Sequence, residues 1–238
     1  MIDIHRHLPT AEENPPPDSW KIWYASSTPE EWQAMQVLTL PDTCRRGYGL
    51  LPTKCVNIET AVSSLADLVK SDPHGYFGEF GLDYRYRHIV PQDHQFSLAV
   101  ELLRLARYMG RPAVLHHVGP MGELEAVLKA VPGTSPVIVH GYLKSVESAR
   151  RLATLGATIS LGPPVWKKAT KLGRRLAEID IPFLLETDFQ REDGDTYTET
   201  VTEHTMRIAD LMDMQREEIE ELCNGYAQVF ENWSSIGR

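Results

Sequence analysis

Short apolar runs alternate with helix-like stretches along almost the whole chain, and this rhythm restricts the fold more than any other feature. The runs occupy residues 2–7, 22–25, 48–51, 76–81, 112–118, 136–142, 158–161 and 183–187. Helical signals lie between them. Thr28 is placed to cap a helix over 29–38 with Pro29 in its first turn. Asn57 is placed to cap another, with Ala61, Leu65, Leu68 and Val69 as its apolar face. Over 92–109 the residues Phe96, Ala99, Leu102, Leu103, Ala106 and Met109 form one helical stripe expected in the core, and Gly110 stops it. Further helices are expected over 121–131, 145–155, 166–179, 199–212 and 216–233. Pro52 stops the third run. Strands alternating with helices imply a parallel sheet. Eight strands within about 190 residues fit a closed TIM (β/α)8 barrel. With no internal repeat or linker, residues 1–238 read as a single domain.

Composition excludes several classes. Apolar residues make up 42% and charged residues 24% of the 238 positions, so disorder and coiled coil are not expected. No apolar stretch is long enough for a transmembrane helix, and no membrane association is expected. The net charge of −9 argues against general polyanion binding but permits a local cation site. The three cysteines, Cys44, Cys55 and Cys223, are odd in number and widely spaced, which disfavours disulfides or a cysteine-rich zinc site. The opening MIDIHRHLPT lacks the pattern of an export signal, so a cytoplasmic location is expected. No Gly-x-Gly-x-x-Gly, P-loop, Gly-x-Ser-x-Gly or HExxH motif occurs, so no organic cofactor and no serine hydrolase is expected.

Five of the eight runs end in a side chain able to bind a cation: His5 and His7, Glu79, His116, His140 and Asp188. In an α/β barrel the C-terminal strand ends converge on one mouth, where catalytic groups gather. His5 and His7 share one strand face because side chains alternate with period two. Two inward imidazoles are costly to bury without partners, and a metal ion satisfies both. Each residue alone has an ordinary explanation: an exposed strand end, a satisfied core histidine, a carboxylate paired with arginine, a cap. The six together are not explained that way. Trp20, Trp23, Trp32 and Trp233 read as packing residues, and His74, His88, His94 and His204 as surface residues.

The order of motifs resembles the TatD family. His5-x-His7 is followed by Gly78-Glu79-Phe80-Gly81-Leu82-Asp83-Tyr84 and Pro112-Ala113-Val114-Leu115-His116. Then come Val139-His140-Gly141-Tyr142, Ile159-Ser160, Leu184-Leu185-Glu186-Thr187-Asp188, and Asn224 with Val229-Phe230. The resemblance implies a metal-dependent hydrolase on a TIM barrel, with deoxyribonucleases among its members. It implies two divalent ions (zinc, manganese or magnesium). His5, His7, Glu79 and Asp188 would hold one, and His116 and His140 the second, with Glu79 bridging. The match also selects His116 over His117. Such a pair of ions clamps the oxygens of a displacement and makes water acidic. Asp188 is the candidate general base and Glu79 the second catalytic carboxylate. Asp83 is expected to support the metal shell.

The expected substrate is single-stranded DNA or another phosphodiester. Arg85, Tyr142, Trp166, Lys167 and Lys168 follow strand ends and are the candidate substrate contacts. Lys171, Arg174 and Arg175 extend the basic stretch, which reads equally as a solvated helix face. Tyr84 stands beside Arg85. The substrate loops depart from the family pattern: Gly49-Leu50-Leu51-Pro52 replaces Gly-x-His-Pro, and Phe189-Gln190-Arg191-Glu192 replaces Ala-Pro-Tyr-Leu. These departures motivate two alternatives, a hydrolase of a small ester or amide on the same fold and a non-catalytic metal-binding subunit. The oligomeric state has no signature in the sequence.

Overall fold

Strands β1 (Ile2–Arg6), β2 (Lys21–Tyr24), β3 (Arg45–Leu50), β4 (Gly75–Asp83), β5 (Ala113–Val118), β6 (Val137–Val139), β7 (Ala157–Leu161) and β8 (Phe183–Leu185) form one sheet. Each pairs in parallel with the next in chain order. The coordinates are a computed structural model that describes residues 1–9, 13–51, 53, 58–190 and 196–231. The sheet curls until its first and last strands meet. Beyond β8, Asp188 N–H donates to His5 O (2.9 Å) and His7 N–H to Phe189 O (3.1 Å). The buried Asp3 carboxylate reinforces this seam, taking Thr187 N–H at 3.0 Å and the Thr187 hydroxyl at 2.6 Å. The TIM barrel expected from the alternation is present.

Among the described residues seven α-helices surround the sheet: α1 (Pro29–Val37), α2 (Ile58–Ser71), α3 (Gln92–Tyr108), α4 (Met121–Ala130), α5 (Val146–Thr154), α6 (Tyr197–Met212) and α7 (Arg216–Glu231). Thr28 caps α1 as its sequence demands, its hydroxyl accepting Glu31 N–H at 3.3 Å. Ser145 does the same for α5. Every strand adds buried apolar groups to the core, among them Ile4, Trp23, Tyr48, Phe77, Val114, Ile138, Ile159 and Leu184. On α3, Ala99, Leu102, Leu103 and Ala106 are buried as expected, but Phe96 and Met109 at the stripe's ends are only half-buried. Trp23 and Trp32 are buried and Trp20 packs on the core. Pro52, Cys55, Asn57 and Trp233 lie outside the described residues.

Three expectations need correction. No helix spans residues 166–179. The segment runs through tight turns at Pro163–Trp166 and Leu176–Glu178. Between them the Thr170 hydroxyl takes the Gly173 N–H (2.9 Å) that a helix would direct to a carbonyl. The stretch 136–142 yields only three strand residues, because Gly141 leaves the extended region at φ +60°. His204 is not a surface residue. It is buried on α6, taking Trp166 Nε1–H at 2.9 Å and donating from Nε2 to Leu161 O at 2.7 Å.

Candidate metal centre

All six expected ligands meet at one mouth of the barrel. His5 projects from β1, and His7 follows that strand directly. Glu79 lies in β4 and His116 in β5, while His140 and Asp188 sit just past β6 and β8. Glu79 reaches this position because Gly49 on β3 has no side chain: a Cβ there would come within 2.2 Å of Glu79 N and O. Strand alternation also separates the adjacent histidines of β5. His116 faces the cluster, whereas His117 Nε2–H donates away from it to Pro120 O (3.2 Å).

The donor atoms crowd into two overlapping groups. In one, His116 Nδ1 lies 2.7 Å and His140 Nε2 2.8 Å from Glu79 Oε1, and the two nitrogens are 3.0 Å apart. In the other, Asp188 Oδ1 lies 3.2 Å from His7 Nε2 and 3.5 Å from His5 Nε2. His5 joins the groups, its Nε2 also standing 3.8 Å from Glu79 Oε2 and its ring stacked on His140 at 4.1 Å. Electron-rich donors packed this closely require a proton or a cation between them.

The neighbouring carboxylates favour protons on His140, His116 and His7, but they leave His5 without a partner. His5 is fully buried, and neither ring nitrogen has a hydrogen-bond partner. Burial, helped by the neighbouring His140, pushes its pKa down to about 3, so the ring is neutral and carries a lone pair. An orphaned polar group in such a place costs about 1–3 kcal/mol. Glu79 is buried too, which raises its pKa, but His140, His116 and His5 around it outweigh burial and hold it well below the usual carboxylate range. A neutral unpartnered imidazole beside ionised carboxylates fits a divalent cation. Asp188 differs from Glu79 in access: its side chain is 48% exposed, against 4% for Glu79.

The expected substrate contacts are placed differently from one another. Arg85 is exposed at the mouth, but its guanidinium grips Asp83 (Nε to Oδ1 2.9 Å, Nη2 to Oδ2 2.5 Å). Tyr142 is buried, with its hydroxyl donating to Ser145 O (2.7 Å). Trp166 is half-buried, its indole N–H held by His204 and its ring under the Arg207 guanidinium at 4.2 Å. Lys167 and Lys168 are exposed on the turn segment after β7, as are Lys171 and Arg174, whereas Arg175 is tied to Glu147 and Glu178. Tyr84 lies under the Arg87 guanidinium at 3.9 Å.

Several polar groups behind the cluster went unread in the sequence. Glu186 is buried and accepts Gly141 N–H (2.6 Å) and the Ser160 hydroxyl. Asp3 holds the seam, and burial raises its pKa to about 6 against the pull of Thr187, Tyr197 and Arg6. Gln95 on α3 is fully buried and brackets Asp83, accepting its N–H (2.8 Å) and donating to its carbonyl (3.2 Å). Parity is the signal for one of these: Asp3 shares it with His5 on β1. A lone polar residue on a helix, such as Gln95, has no such signal.

Residues 2–231 match the family described as TatD related DNase. Among curated relatives, the chain is 29% identical over 117 residues to the deoxyribonuclease Tat-D of Schizosaccharomyces pombe, covering 45% of this chain and 38% of that one. It is 32% identical over 117 residues to the uncharacterised metal-dependent hydrolase YjjV of Escherichia coli K12, covering 47% and 43% respectively. The matched stretch therefore spans about two-fifths of each relative's length. Among solved structures, the barrel superposes on the TatD homologue YjjV of Escherichia coli K12 with a TM-score of 0.73 at 22% identity, covering 88% of this chain and 85% of that one. A TatD family hydrolase of Entamoeba histolytica gives 0.69 at 14% identity, covering 90% and 85%. At these identities the superpositions speak for the fold. Among the described residues no helix is long and apolar enough to cross a membrane.

Proposed function

Because this chain belongs to the TatD related DNase family, we propose that it is a metal-dependent hydrolase that cleaves phosphodiester bonds, with DNA, single-stranded in particular, as the substrate class. The observation that carries this reading is the cluster of six donors around the unpartnered, neutral His5. His5, His7 and Asp188 form one group able to hold an ion and His5, Glu79 and His140 the other, with His116 Nδ1 joining the second through Glu79 Oε1 at 2.7 Å. When bound, divalent cations supply Lewis acidity there, polarising the scissile group and a water molecule.

The chain's own groups supply the rest. Asp188 Oδ is the accessible carboxylate of the cluster and takes the proton of the attacking water. Glu79 is almost wholly enclosed and ionised, so it stays a fixed negative charge among His5, His116 and His140. Lys167 and Lys168 offer point charges to phosphates arriving at the rim. Arg85 adds a third charge, partly neutralised by Asp83. Tyr142 and Trp166 are engaged inside the fold, so the stacking expected of them carries little weight here.

The test joins metal analysis to a substrate panel of single-stranded DNA, a phosphodiester chromogen and small esters. One or two zinc, manganese or magnesium ions per chain and chelator-sensitive cleavage of DNA are expected. Turnover of small esters alone moves the assignment to that class. Metal content near zero after growth in replete medium, with no turnover of any substrate, overturns the reading.

A further inference from the structure

The two imidazoles that converge on Glu79 Oε1 each have a carboxylate behind the ring. Asp83 Oδ2 lies 3.1 Å from His116 Nε2, the nitrogen turned away from Glu79. Glu186 Oε1 lies 3.7 Å from His140 Nδ1, again the nitrogen turned away, at ion-pair rather than hydrogen-bond range, so that this nitrogen has no hydrogen-bond partner. Both carboxylates are buried and both are anchored. Asp83 is bracketed along its backbone by Gln95 and gripped by Arg85. Glu186 is fixed by Gly141 N–H and the Ser160 hydroxyl.

We propose that Asp83 and Glu186 are positioning residues that aim His116 and His140 at the cation beside Glu79. The proposal rests on the metal-dependent reading above and assigns two residues outside the donor cluster. A histidine anchored only at its Cβ rotates about χ2 and exchanges its proton between nitrogens. A carboxylate accepts the N–H it faces, so Asp83 keeps the proton on His116 Nε2 and the lone pair on Nδ1, and Glu186 offers the same kind of partner to His140 Nδ1 at longer range. Anchoring matters as much as contact. Gln95 reaches Asp83 from α3 and Ser160 reaches Glu186 from β7, so each carboxylate takes its place from a different element of the barrel. Arg85 acts on His116 through Asp83. Its removal leaves the Asp83 carboxylate with one fewer anchor while its backbone bracket stays intact.

The experiment uses the full chain, zinc as probe, and three variants: Asp83→Asn, Glu186→Gln and Arg85→Ala. Zinc affinity is read by competition with a chromophoric chelator. Histidine side-chain 15N spectra of the zinc-loaded protein report which nitrogen carries the proton and whether that proton is hydrogen-bonded. Asp83→Asn and Glu186→Gln are each expected to weaken zinc binding by about 10- to 100-fold, with Arg85→Ala losing less. The strongly deshielded Nε2–H signal of His116 is expected in the native protein and lost in Asp83→Asn. A purely structural role would lower thermal stability and leave that signal and the affinity in place. Native zinc binding with variant affinities within twofold overturns the proposal alone. No zinc binding by the native chain overturns it together with the functional reading. If Glu186→Gln fails to fold, the native spectrum and the surface variant Arg85→Ala still decide: a native His116 without a hydrogen-bonded Nε2–H overturns the proposal.

Discussion

Trp166 and His204 share a hydrogen bond in which the indole Nε1–H donates to the imidazole Nδ1 at 2.9 Å. The other imidazole nitrogen donates to the carbonyl of Leu161, the last residue of β7, at 2.7 Å. The pair therefore ties the turn after β7 to α6, and it admits one protonation state: neutral, with the proton on Nε2.

The first prediction follows from that state. Burial lowers the His204 pKa to about 4, from 6.5 in the unfolded chain. The unfolded state then binds a proton that the native state refuses, so stability falls as pH drops through the window between these values. This group contributes a loss of about 3 kcal/mol between pH 7 and pH 4. In His204→Gln that portion disappears, and the denaturation midpoint falls less steeply with acidification. Urea titrations at pH 7, 5.5 and 4.5 check it; parallel declines in both proteins would refute the assignment.

Asp188→Asn keeps the shape of the side chain but removes the proton acceptor and one negative charge beside His5 and His7. Turnover is expected to fall by about 10²- to 10⁴-fold while the circular dichroism spectrum is unchanged. Near-native rates under saturating metal would remove Asp188 from the role of base and return attention to Glu79.

Gly49→Ala tests how β3 admits Glu79. Its methyl carbon would stand 2.2 Å from the peptide N and O of Glu79, both rigid backbone atoms. A loss of stability of at least about 1–3 kcal/mol is expected, and metal content should fall with it because Glu79 belongs to the donor cluster. Native stability with full metal content would show that β4 yields easily.

The exposed lysines are tested by salt. If Lys167 and Lys168 contact phosphates, each alanine substitution lowers the slope of log affinity against log salt for single-stranded DNA by about 0.7. Hydrolysis of a small chromogenic phosphodiester should be unaltered. An unchanged slope in the double variant would make this stretch an ordinary solvated surface.

The barrel and the cluster were legible for the same reason: in a parallel strand buried on both faces, polar residues stand out against their neighbours. His5, Glu79, His116 and His140 each follow or interrupt an apolar run. Helix periodicity was the weaker guide. Trp166, Leu172, Leu176 and Ile179 mimic helical spacing, yet the Thr170 side chain and the close passage of Gly173 past Val165 O hold the segment in turns. His204 looked like a surface residue because its partners, Trp166 and Leu161, are far away in sequence and local pattern cannot report them. The apolar run over 136–142 ends on Tyr142, whereas Gly141 turns the chain there and Tyr142 is buried in the core.

The seam between the first and last strands also sets when the donor cluster comes together. Asp3 and Thr187 are 184 residues apart, and His5 and His7 meet Asp188 only once that seam has closed. These groups are thus brought together by one of the longest loop closures the chain makes. A nascent or truncated chain that ends before Asp188 lacks the accessible carboxylate altogether. On the proposed reading, the donor cluster is complete only when the fold is complete, and a partly made molecule lacks it.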